Sequence, residues 1–179
     1  KSKKLVETQM ILTGNTKVEI ENCNFKDAAT AALLLSENVE CKIGNTLIED
    51  NSNGIIAGGF INVTFFKCTF KENYDYAINI CEKSSIRLFD NIFKNNLAGI
   101  IAKNNSDTVI EKCEFQNHSD VALIFEDESK GTIRTTSFMN DHVAVSAWGY
   151  SEVNIYDVTI DNEEDHNAIA YLVNAKGSI

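Results

Sequence analysis

All three histidines of this 179-residue chain fall in one run of turn-like sequence near its C-terminal third. His118 and Asp141 each stand three residues past a large apolar residue, Phe115 and Phe138, and His142 follows at once. Asp120 lies two residues beyond His118, while Glu163, Glu164, Asp165 and His166 crowd the next turn. Imidazoles and carboxylates gathered in this way could hold a metal ion or exchange protons near neutral pH. Turns also collect polar side chains simply because they face solvent. That plainer reading is preferred, so no metal, cofactor or catalytic residue is assigned.

The second chemically suggestive set is aromatic. Trp148 and Tyr150 share the turn WGY, and Phe60 recurs in the column of Tyr150 several repeats earlier. Tyr74 and Tyr76 mark another turn. Exposed rings of this kind can stack on sugars or anchor a protein partner.

The cysteines Cys23, Cys41, Cys68, Cys81 and Cys113 form no CxxC pair, which gives zinc little support. Their odd number leaves one thiol unpaired and argues against a disulfide framework. With no apolar leader in KSKKLVETQM, the lean is toward a reducing, cytoplasmic compartment.

A net charge of −10 argues against a nucleic-acid partner, whose phosphates need basic patches. No apolar run approaches the roughly 18 residues that a membrane span requires.

What positions these residues is a repeat. Large apolar anchors stand at Phe25, Leu47, Phe70, Phe93, Phe115, Phe138 and Ile160, separated by 22, 23, 23, 22, 23 and 22 residues. Other columns follow the same beat. Leu33, Ile55, Ile78, Ile100, Leu123, Val145 and Ile169 form one, and Leu35, Ala57, Ile80, Ala102, Phe125, Ala147 and Tyr171 another. Two residues before the anchors stand Cys23, Asn45, Cys68, Asn91, Cys113, Thr136 and Val158. Only VECKI, in the second repeat, looks displaced by one residue.

Within a unit the apolar residues alternate as in strands with one buried face, and no window keeps helical spacing. Short strands joined by turns in a unit of 22–23 residues predict about seven coils of a parallel β-helix. Each strand then pairs with its counterpart one coil on, so columns become stacks. The stacked anchors supply the core. An Asn/Asp-rich bend follows them at Asp27, Asp50, Asn73, Asn95, Asn96, Asn117, Asn140 and Asn162, where side-chain amides can bond between rungs. The absence of proline suits interior strands that need every N–H. Residues 1–16 are expected to be a partial first coil or the remnant of a neighbour, and 17–179 the β-helix, a segment of a larger protein.

These columns resemble the right-handed parallel β-helix repeats of the pectate-lyase-like superfamily, over about residues 17–174. The resemblance implies an all-β solenoid shared by polysaccharide lyases, hydrolases and non-catalytic recognition segments. Its lyases use acidic residues to hold calcium and an Arg or Lys as base, but Arg87 and Arg134 stand at non-equivalent positions. Its hydrolases carry NTD, DD, GHG or R-x-K motifs, and none occurs here. The expectation is therefore a non-catalytic recognition or scaffold rod that presents turn columns to a protein or glycan. The alternative is a polysaccharide lyase or hydrolase working in a groove along one face. Either way, further domains of the same chain or oligomer contacts are expected at the solenoid ends.

Overall fold

The computed structural model describes residues 6–162, 167–172 and 176–178. These residues contain no helix; every assigned element is a strand, and all the strand pairs are parallel. The chain winds as an all-β solenoid of about 7 turns with three strands per coil. One side carries Tyr76–Glu82, Ala98–Ala102, Val121–Phe125, Val143–Trp148 and Asn167–Leu172. The next carries Ser85–Phe89, Asp107–Glu111, Lys130–Arg134, Glu152–Tyr156 and Lys176–Ser178. In the early coils these two sides run on as single long strands, Ala28–Gly44 and Asn53–Phe66, which ties both into one 14-stranded sheet. The third side is a seven-stranded sheet of three-residue strands, from Asn24–Lys26 to Thr159–Asp161.

Three corners per coil fix this shape. The backbone turns left-handed at Gly14, Glu37, Gly59, Glu82, Asn104, Asp127 and Gly149 on the first corner. It does so at Asn22, Asn45, Lys67, Asp90, Lys112, Thr135 and Asp157 on the second. The third corner uses Asp27, Asp50, Glu72, Asn95, Asn117 and Asn140. Such a conformation costs a non-glycine residue about 1–3 kcal/mol unless its surroundings enforce it. Here the next rung enforces it. At the second corner, for example, Asn45 N donates to Phe66 O at 3.1 Å and Lys67 N to Phe89 O at 3.1 Å. Eleven of these twenty positions are Asn or Asp and three are Gly, the types that tolerate a left-handed backbone. At Lys67, Glu72, Lys112 and Thr135 the rung-to-rung bond holds the same conformation without that help.

The core is a set of stacks. Phe70, Phe93, Phe115 and Phe138 pair in register, with ring centroids 4.7, 4.6 and 5.2 Å apart and nearly parallel planes. A second stack runs through Ile20, Ile43, Phe65, Leu88, Ile110, Ile133 and Ile155. The columns from Leu33 to Ile169 and from Leu35 to Tyr171 pair as the repeat implied.

One anchor is corrected. Ile48, not Leu47, pairs with Phe25 and Phe70 and is fully buried. Two adjacent apolar residues made the phase ambiguous, and the left-handed Asn45 settles it by turning Thr46 inward. With Ile48 as anchor, the apparent displacement of VECKI disappears. Thr46 also replaces Asn45 in the cysteine column, where its hydroxyl accepts from Cys23 N at 3.4 Å. The Asn/Asp bend likewise separates into two files: the left-handed third corner, and an inward file one residue later.

Candidate functional site

The inward file contains the histidine–aspartate pair. Asn51 Nδ2 donates to Asn73 Oδ1 at 3.1 Å, Asn73 Nδ2 to Asn96 Oδ1 at 2.8 Å, and Asn96 Nδ2 contacts His118 Nε2 at 3.3 Å. His118 Nδ1 then meets Asp141 Oδ1 at 2.7 Å, and that oxygen also accepts from His118 N at 2.9 Å. The direction of the chain of amides assigns the ring. Asn96 Oδ1 already accepts from Asn73 N and Nδ2, so its amide nitrogen faces His118 and Nε2 must accept. In this arrangement His118 Nε2 accepts from Asn96 and Nδ1 donates to Asp141. Both side chains are wholly buried, shut away from any substrate. Asp120 and His142 lie exposed on neighbouring turn positions, and Glu163 and His166 fall outside the described residues. The pair is a rung of the interior, where sequence patterning had suggested a solvated turn.

The first corner offers what the file does not: reachable chemistry. From Gly59 onward, the residue after each left-handed position forms the file Phe60, Lys83, Asn105, Glu128 and Tyr150, one per rung at steps of 23 and 22. Phe60 and Tyr150 are 63% and 69% exposed. Between them run three hollows of about 430, 430 and 440 Å³ with shared walls. Gly59, Phe60, Glu82, Lys83, Asn104 and Asn105 line the first. The second is lined by Asn104, Asn105, Asp127, Glu128, Gly149 and Tyr150, and the third by Asn105, Glu128, Lys130, Tyr150, Glu152 and Lys176. Together they make a trough open along its length.

The trough is bare at the two rungs that bear aromatic rings. A side chain at Gly149 (φ +70°) would place Cβ 2.9 Å from Asp127 N, and one at Gly59 (φ +119°) 2.6 Å from Glu37 O. Lys83 Nζ lies 5.5 Å from the centre of the Phe60 ring, a cation–π contact on one face of that ring. Sequence reasoning found Phe60 and Tyr150 but missed Lys83, Asn105 and Glu128. Counting the alternating steps of 23 and 22 forward from Phe60 would have reached each of them.

The other aromatic candidates lie elsewhere. Trp148 ends a strand of the first side and stands two residues from the trough file. Tyr74 is exposed on the third corner beside Leu97, over a separate hollow of about 420 Å³. Tyr76 is half-buried against Ala98, Ile101, Ile124 and Val121, and burial raises its hydroxyl pKa. It is a packing residue.

All five cysteines are free. Cys68 and Cys113 are interleaved with Thr46, Asn91 and Thr136, and their thiols donate to Ile43 O and Glu111 O at 3.4 Å. Burial pushes the Cys41 and Cys113 thiols up to about 11. Among the described residues, one group of three acidic or soft donor side chains converges: Glu49, Asp50 and Glu72. Glu49 is already taken up by Lys71 Nζ at 2.7 Å and by Asn24 Nδ2 at 3.3 Å, the main causes holding its carboxyl below the usual range.

These stacked coils, left-handed corners and inward polar file define a parallel β-helix repeat rod of the pectate-lyase-like architecture. The chain belongs to the NosD family, described as periplasmic copper-binding protein, whose family model matches residues 2–170. No curated protein matches it.

The family corrects the expected compartment, since a periplasmic family conflicts with a cytoplasmic lean. Unpaired thiols misled because they reflect the repeat rather than redox conditions. Cysteines two rungs apart cannot reach bridging distance in any compartment.

Copper is a poor fit to the donors in view. Copper(I) takes thiolate, thioether and imidazole ligands. Among the described residues the one convergent group is all oxygen, and His118 has both ring nitrogens engaged. The buried Cys41 and Cys113 belong to no such group, their thiols pushed up to about 11 by burial. Met10 and Met139 lie in strands at opposite ends of the rod. At equal concentration the protein is expected to withdraw no copper(I) from a chromogenic chelator. In the same preparation, Cys41 and Cys113 should resist thiol reagents at pH 8 until the chain is unfolded, because their thiolates form only near pH 11. Copper capture by the folded chain would show that the donor reading is wrong.

Proposed function

We propose that this rod is a non-catalytic recognition module that binds an extended glycan along the corner from Phe60 to Tyr150. One observation carries the reading: two exposed aromatic rings occupy a single file four rungs apart, joined by a continuous trough. At about 4.8 Å per rung that spans about 19 Å. An extended polysaccharide advances a similar distance per sugar, so ligand and scaffold share a period. Rings stack on the apolar faces of sugars, and the amides and carboxylates between them match hydroxyl groups. Because hydrogen bonds to both neighbouring rungs hold the backbone, little ordering opposes binding.

Glycan-array screening followed by calorimetry on the best ligand tests this. Phe60→Ala and Tyr150→Ala are each expected to weaken binding by about tenfold, the usual effect of removing an aromatic anchor. Tyr74→Ala, on another corner, should leave affinity unchanged. Full affinity retained in the Phe60→Ala/Tyr150→Ala double variant would sink the proposal.

A further inference from the structure

We infer, resting on the glycan-binding reading of this corner, that its ligand is an uncharged glycan and that uronate or sulfated chains are excluded. The charges along the trough carry the argument. Its only cation within the file, Lys83, sits at one end against the Phe60 ring. The central hollow leading to Tyr150 is lined by Asn104, Asn105, Asp127 and Glu128 with two glycine or aromatic positions: two carboxylates, two amides and no cation. Asp127 Oδ2 accepts from Asn104 N at 3.4 Å, which ties that carboxylate to the corner, and no lysine or arginine lines this hollow beside it. At the outer edge Lys130 and Lys176 stand on the rungs either side of Glu152, with Lys130 Nζ 3.9 Å from its carboxylate. Two lysines there face the two carboxylates of Glu128 and Glu152 and leave no net positive charge.

Carboxylates and amides facing a sugar accept hydrogen bonds from neighbouring hydroxyls, and the amides donate in return. A neutral chain satisfies them. A uronate lying one sugar per rung would set its own carboxylate against Asp127 or Glu128, where recognition of an anion calls for Arg or Lys. The overall charge of −10 adds a repulsive field during approach.

The test compares neutral cello- and N-acetylated chito-oligosaccharides with oligogalacturonate and a sulfated dextran of matched length. Calorimetry at low and at moderate salt supplies the affinities. The native chain is expected to bind a neutral series at least about tenfold more tightly than either anionic one, with the gap narrowing as salt screens the carboxylates. Asp127→Asn/Glu128→Gln should weaken neutral binding and bring the two classes within about threefold of each other. Circular dichroism confirms that the variant is folded.

Preference of the native chain for the anionic glycans, or a neutral-to-anionic ratio untouched by the double variant, would overturn the inference. If that anionic binding is still lost in Phe60→Ala/Tyr150→Ala, the trough reading survives and only the ligand class falls. Absence of binding by glycans of either kind would overturn both.

Discussion

Replacing Phe93 by alanine is expected to remove about 3–5 kcal/mol of stability. The ring is fully buried and stacks on Phe70 at 4.7 Å and on Phe115 at 4.6 Å, so one truncation breaks two ring contacts and opens a void between them. Neighbouring strands are held in ladder hydrogen bonds on both sides and cannot close that void. The aromatic pairing itself adds about 0.5–1.5 kcal/mol beyond area burial. Phe93→Leu fills most of the space and should cost far less. Urea denaturation followed by far-ultraviolet circular dichroism measures both. A loss below about 1 kcal/mol for Phe93→Ala would mean that the stack is not what holds the coils together.

The second large effect lies in the polar file, where two substitutions should move stability in opposite directions. Asn96→Leu removes the acceptor for Asn73 N and Nδ2, at 3.0 and 2.8 Å, and the donor to Phe70 O and His118 Nε2, at 3.2 and 3.3 Å. Unpartnered buried polar groups cost about 1–3 kcal/mol each, so the expected loss is at least about 4 kcal/mol. Added apolar burial does not offset it. Asp141→Asn should instead raise stability by about 1 kcal/mol. Asp141 Oδ1 takes both bonds from His118, but Oδ2 is buried with no hydrogen-bond partner. The amides of Asn51, Asn73 and Asn96 donate at the corresponding place to the main-chain carbonyls of Phe25, Ile48 and Phe70. An amide at 141 restores that donor while keeping the acceptor. Thermal melts of the two variants decide the matter, and a destabilised Asp141→Asn would show that the file tolerates a carboxylate for a reason other than geometry.

Much of this was legible in the residues. Phe70, Phe93, Phe115 and Phe138 announce a stack because a parallel solenoid places identical columns one above another. The same rule put His118 beside Asp141 and Phe60 in the file of Tyr150. It failed where a local choice had two physically equal answers. Leu47 and Ile48 are adjacent and both apolar, and only the left-handed Asn45 decides which faces in. His118 and Asp141 looked like turn residues because they are polar and follow a bend, yet one residue past the left-handed third corner the chain points inward. Past the first corner it points outward instead, to Phe60 and Tyr150.

The amino-acid sequence alone therefore determined the period, the parallel all-β architecture and the membership of the long apolar columns. Stacking makes those properties additive along the chain, so they survive a small error in phase. Tertiary structure decided what depends on direction. It located the three corners of the coil, buried the histidine–aspartate pair, separated Trp148 from Tyr150 and joined Phe60, Lys83, Asn105, Glu128 and Tyr150 into one trough. At the second and third corners a backbone hydrogen bond to the next rung fixes the turn, and it does so at Lys67, Glu72, Lys112 and Thr135 as well as at Asn and Asp, so residue type alone does not mark every corner.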